Sequence, residues 1–208
     1  EGWKTLYDIE SYKSSLPDDN PYEWTFKGEE RPVFPRNLKE LAEKNGDKEI
    51  IVHTHFGNTI VLEFALKTLE NEGLGKGEVT DFLTVSFSST DVIGHEYGTR
   101  AIETEDAYLR LDADIARLLN TLDKNVGKDN YIVFLTADHG GAEVAQFSID
   151  NNLPGGYIDK KLLRTELEKT LKATHPLGME LVERMEGNRI YFDKEKVAEA
   201  ILDLYELS

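Results

Sequence analysis

The six residues Tyr131-Ile132-Val133-Phe134-Leu135-Thr136 form a near-continuous apolar run. A strand with one wet face alternates apolar and polar residues, so an unbroken run reads as a strand covered on both faces, as in a parallel sheet. Phe82-Leu83-Thr84-Val85-Ser86-Phe87 reads as a second strand and Glu49-Ile50-Ile51-Val52-His53 as a third. Helical spacing fills the gaps. It covers residues 38–44, residues 60–72, and a stretch in which Tyr108, Leu111, Ile115, Leu118, Leu119 and Leu122 make one apolar stripe. Strand, helix, strand, helix, strand predicts an α/β fold with a doubly wound, mostly parallel sheet over residues 1–147.

After residue 147 the pattern changes. A loop at 151–156 precedes a helix over 159–172, a hairpin across Glu186-Gly187-Asn188, and a last amphipathic helix over 194–207. Residues 148–208 therefore read as a small α+β lobe at the C-terminal end. Residues 1–35, with prolines at 17, 21, 32 and 35, read as an irregular surface segment. The acidic runs Glu29-Glu30 and Glu103-Thr104-Glu105-Asp106 read as solvated faces.

Two motifs carry chemistry. Asp91-Val92-Ile93-Gly94-His95 follows one apolar run, and Asp138-His139-Gly140-Gly141 follows another. Ligands bind beyond the carboxyl ends of strands in open α/β sheets, so both pairs should face one rim. Carboxylate oxygen and imidazole nitrogen suit Zn²⁺, with manganese or iron as poorer fits. Two such pairs are the parts of a binuclear site, and binuclear sites hydrolyse phosphate esters. Read alone, Asp91 and His95 could equally be a solvated turn. His53 and His55, which flank Thr54, read as structural or supporting rather than as ligands. Ser88, Ser89 and Thr90 read as turn residues and not as a nucleophile. No residue stands out for substrate binding.

Charge narrows the partners. The formal net charge is −16, which repels nucleic acid and anionic membranes. An anionic small-molecule substrate would then need a local cation, and a bound metal supplies one. No apolar stretch reaches the roughly 20 residues of a membrane span. With no cysteine there are neither disulfides nor thiolate ligands. The chain begins at Glu1 without a signal-peptide pattern, so Glu1 is expected to be an internal start.

The stretch from Leu83 to Gly98, Ser-Ser-Thr-Asp-Val-Ile-Gly-His-Glu-Tyr-Gly at its end, resembles the alkaline phosphatase superfamily. Within it the chain is most similar to the phosphate-irrepressible alkaline phosphatases, grouped with type I phosphodiesterases and nucleotide pyrophosphatases. Phe56-Gly57-Asn58-Thr59, the segment from Glu105 to Asp112, and Leu135-Thr136-Ala137-Asp138-His139-Gly140-Gly141 share the likeness. It runs along most of the chain but across only the middle of a longer family member, so a middle fragment is expected.

The resemblance implies an alkaline phosphatase-like core and two zinc ions in the intact enzyme. Asp91 and His95 would hold one zinc, completed by a His nearer the family's C-terminus. Asp138 and His139 would hold the other, completed by an N-terminal Asp and the nucleophilic Thr. Those completing residues have no counterpart here. The implied activity is hydrolysis of phosphate monoesters through a covalent phospho-Thr, with this piece inactive alone and the enzyme periplasmic or secreted. Phosphodiesterase or nucleotide pyrophosphatase is the alternative, and a non-catalytic metal-binding module is the reading from another class. A phosphoglycerate-mutase-like isomerase would instead need a serine nucleophile and manganese.

Overall fold

Helix α4 (Ile102–Asn125) is the longest element and carries the predicted stripe, but its buried residues, Ile102, Glu103, Thr104, Asp106 and Ala107, all precede that stripe, and Tyr108 is exposed. In the computed structural model, residues 2–175, 178–187 and 189–200 are described. Before α4 come α1 (Leu38–Ala42), α2 (His55–Asn71) and α3 (Ser89–Tyr97), and after it α5 (Ala145–Asp150). The chain divides into two compact units, Glu1–Leu153 and Pro154–Ser208.

In the first unit, Ile50, Ile93, Tyr97, Ala101 and Ala107 form the core with Trp3, Phe26, Leu38 and Leu41. Trp3 and Phe26 come from the stretch read as a surface segment. That reading is corrected: residues 2–35 are mostly irregular in backbone, with a 3-10 turn at Ile9–Ser11, but they pack through the buried rings of Trp3, Tyr12 and Phe26. Trp3 pairs with Arg36 through a bridge of two backbone hydrogen bonds, and its indole N–H donates to Asp106. The acidic run is corrected too. Glu103 and Asp106 are fully buried. Asp106 accepts from Trp3, from the Tyr12 hydroxyl, from the backbone N–H of Leu6 and from Arg110, which offsets the cost of burying its charge. Glu103 pairs with the buried Arg36.

The predicted strands fare differently. Residues 47–53 form a 3-10 helix rather than a strand, with only Ile50 buried. Residues 82–87 and 131–136 run without regular structure and pair with nothing in a ladder. Phe82 is 89% exposed and Phe134 84%. A strand exists only through its neighbours, and among the described residues these two segments have none.

In the second unit, α6 (Lys160–Thr174) starts at Asp159, whose carboxylate accepts from the N–H groups of Lys161 and Leu162. The predicted hairpin forms as antiparallel β1 (Val182–Glu186) and β2 (Arg189–Phe192). Leu171, Leu181, Val182 and Val197 close a small core. The last helix, α7, spans Lys194–Glu199 and is capped by Ala200, and residues 201–207 of the predicted 194–207 helix lie outside the described residues.

Candidate metal centre

Helix α3 converts the Asp91 and His95 spacing into geometry. Ser89, Ile93 and Tyr97 recur every four residues and are buried, so they fix which face turns inward. Asp91 and His95, also four apart, fall on the opposite face and stay exposed. His95 Nε2 lies 3.3 Å from Asp91 Oδ1. Gly98 ends the helix at φ +87°, a conformation that favours glycine, with its N–H bonded to the Gly94 carbonyl.

His139 reaches the same place from the other motif. Its Nε2 lies 3.4 Å from Asp91 Oδ1, and its ring centroid is 5.9 Å from that of His95. Its Nδ1 is 3.1 Å from the Gly140 carbonyl oxygen. A carbonyl can only accept, so Nδ1 carries the proton and Nε2 keeps its lone pair for a ligand. The Gly140 carbonyl first, and then the Asp138 and Asp91 carboxylates, hold the His139 imidazole above its usual pKa. A cation in the cluster would therefore compete with a proton there.

Asp91, His95 and His139 each present a ligand atom within 4.8 Å of the others, the one such group among the described residues. Asp138 is not part of it. Its side chain is 87% exposed, and its Oδ1 accepts the backbone N–H of His139. Two imidazole nitrogens and one carboxylate oxygen fit a first-row divalent ion, and three protein ligands leave a position open as catalytic zinc sites do.

His53 and His55 diverge despite sitting two residues apart. His53 Nδ1 meets Glu96 Oε1 at 2.7 Å. His55 is buried against Trp3 and Phe56, and burial, then the charge of Arg110, lowers its pKa to about 4. Neither joins the cluster. The sequence reading missed Glu96 and Asn58. Asn58 is buried at the start of α2 and donates to the Thr90 hydroxyl at 2.8 Å, next to Asp91. Only the Phe56-Gly57-Asn58-Thr59 motif hinted at it.

Residues 7–206 match the family described as type I phosphodiesterase / nucleotide pyrophosphatase. A protein of Myroides odoratus named calcium-transporting ATPase is 47% identical over 95% of this chain and 36% of its own length. Alkaline phosphatase PhoV of Synechococcus elongatus is 41% identical over 98% of the chain and 36% of its own length. The crystal structure of alkaline phosphatase PafA superimposes with a TM-score of 0.84 at 37% identity, covering all of this chain and 39% of that one. The chain thus spans a little over a third of the length of these relatives, and it has part of the alkaline phosphatase fold.

Proposed function

Because the chain belongs to the type I phosphodiesterase / nucleotide pyrophosphatase family of the alkaline phosphatase superfamily, we propose that it is the metal-holding part of a zinc-dependent phosphatase acting on phosphate monoesters. The observation that carries this reading is the convergence of Asp91, His95 and His139 from two motifs more than forty residues apart. When bound, zinc would polarise a phosphoryl oxygen and neutralise charge on the leaving oxygen. Asp91, His95 and His139 hold one ion in this proposal. Asp138, beside them and open to solvent, is the fourth ligand of a two-zinc centre. The nucleophile, a Thr that becomes transiently phosphorylated, is supplied by residues outside these 208.

The net charge of −16 supports a bound cation, since an anionic ester is otherwise repelled. The names of relatives such as PhoV favour the monoesterase. The family's own description supports the runner-up, a phosphodiesterase, and the name of the Myroides relative makes a nucleoside triphosphate worth assaying. A site on the periplasmic or secreted side is part of the proposal. No helix among the described residues is long and apolar enough to cross a membrane.

Zinc titration of the EDTA-stripped full-length protein, with p-nitrophenyl phosphate and its bis ester as substrates, tests the proposal. Zinc should restore hydrolysis of the monoester in preference to the diester. His139→Ala should weaken zinc binding at least about tenfold, since a ligand is lost. Zinc binding equal in wild type and His139→Ala would overturn the site. Diester preference would turn the reading to the phosphodiesterase. The 208-residue chain alone should hydrolyse the monoester no faster than its own His139→Ala variant.

A further inference from the structure

We propose that His53 and Glu96 form a brace that positions helix α3, and with it the metal ligands Asp91 and His95; the inference rests on the metal-site reading above. Glu96 directly follows His95. It sits on the flank of α3, between the buried face of Ser89, Ile93 and Tyr97 and the ligand face. Its Oε1 meets His53 Nδ1 at 2.7 Å, and its backbone carbonyl accepts the N–H of Trp24 at 2.9 Å. The Trp24 ring lies nearly parallel to the His53 ring, 26° apart with centroids 5.7 Å from each other. Phe26 meets the same imidazole edge-on at 6.1 Å. His53 is thus held by two aromatic rings and a carboxylate, outside the ligand cluster itself.

The need for a brace follows from the length of α3. Nine residues make a helix that is marginal by itself, so its placement comes from tertiary contacts. Both ligands stand beside a tethered residue. Thr90, one before Asp91, accepts from Asn58, and Glu96, one after His95, pairs with His53. Metal ligands must be held to within about 0.5 Å, and partners that orient them typically matter about 10- to 100-fold in metal affinity. Glu96 Oε2 is buried without a partner. Removing His53 would leave the whole carboxylate without one, and a half-buried carboxylate then turns outward to water and takes the last turn of α3 with it.

Zinc affinity of the full-length protein, measured by competition with a chelator, tests the brace alongside melting of the metal-free form. His53→Ala should bind zinc about tenfold more weakly. His53→Asn, whose amide can still donate to Glu96, should stay within about twofold of wild type, well short of that loss. Leu69→Ala, in the buried face of α2, should lower the melting temperature and leave zinc affinity unchanged. The brace is overturned if His53→Ala binds zinc like wild type, if His53→Asn fails to rescue, or if Leu69→Ala weakens zinc equally. If wild type binds zinc no better than Asp91→Ala, the metal-site reading itself fails and the brace goes with it.

Discussion

At Arg36, a fully buried guanidinium pairs with Glu29 and Glu103 and lies over the Tyr97 ring at 4.6 Å. Its charge is felt by Asp18, Glu23 and Glu96 as well, so one cation faces five carboxylates. Among the described residues Glu23 has no ion-pair partner; it accepts from Asn20 and keeps Oε2 buried and unsatisfied. Burial, and next the Glu103 carboxylate, push the Glu23 carboxyl up to about 9 from 4.5. A carboxyl raised in the fold contributes its full stability below the unfolded pKa, and that contribution is lost as pH climbs through the folded one. His55 acts in the opposite sense, costing stability as pH falls from 6.5 towards about 4. Above pH 6.5 His55 no longer contributes. Burial also raises the Glu103 carboxyl, to about 7, so Glu103 adds to the fall near pH 7 and the Glu23 effect stands alone towards pH 9. The urea midpoint should fall as pH rises from 6.5 to 9, and Glu23→Gln should flatten that decline; parallel slopes for the two proteins would refute it. None of this was legible in the sequence. An acidic run looks the same solvated or buried, and the residue that decides between them, Arg36, lies 67 positions from Glu103.

Among the elements, legibility followed locality. Helices α4 and α6 were readable because their apolar stripes recur within the element itself. The β1–β2 hairpin was readable because its turn and both strands lie within a dozen residues. Residues 47–53 misled because a short apolar run suits a strand or a helical turn equally, and only packing decides. The four candidate ligands were visible as motifs, but the i, i+4 presentation of Asp91 and His95 was not, since α3 replaces an expected loop. What seats α3 on α2 is Gly57. A Cβ there would overlap the Ser89 hydroxyl and lie 3.1 Å from the Ile51 carbonyl, which is backbone and cannot swing aside. Gly57→Ala should cost about 2 kcal/mol by overpacking, read from the denaturation midpoint. Because Ser89 opens α3, it should also weaken zinc binding. An unchanged midpoint would mean the two helices slide apart freely.

For the molecule as a whole, the unpaired apolar segments dominate behaviour. Ile132, Val133, Phe134 and Leu135 are 82%, 52%, 84% and 80% exposed, so successive residues are bare and both faces of the would-be strand are open. Each such side chain stands to gain about 1.5–3 kcal/mol on burial, and the backbone beside it has unpaired N–H and C=O groups. The sequence reading expected this run to be buried on both faces; among the described residues no sheet covers it. The chain spans 36% of the length of PhoV and 39% of that of PafA. The 208-residue chain should therefore bind a dye for exposed apolar surface and associate with increasing concentration in light scattering. Its charge of −16 opposes that association, and salt screens the repulsion. Association should accordingly grow with ionic strength, whereas contacts made by ion pairs would weaken. Phe134→Lys, which places a charge in the middle of the run, should return the chain towards a monomer. A chain that stays monomeric at all concentrations and salts would show that the segment finds cover within its own fold.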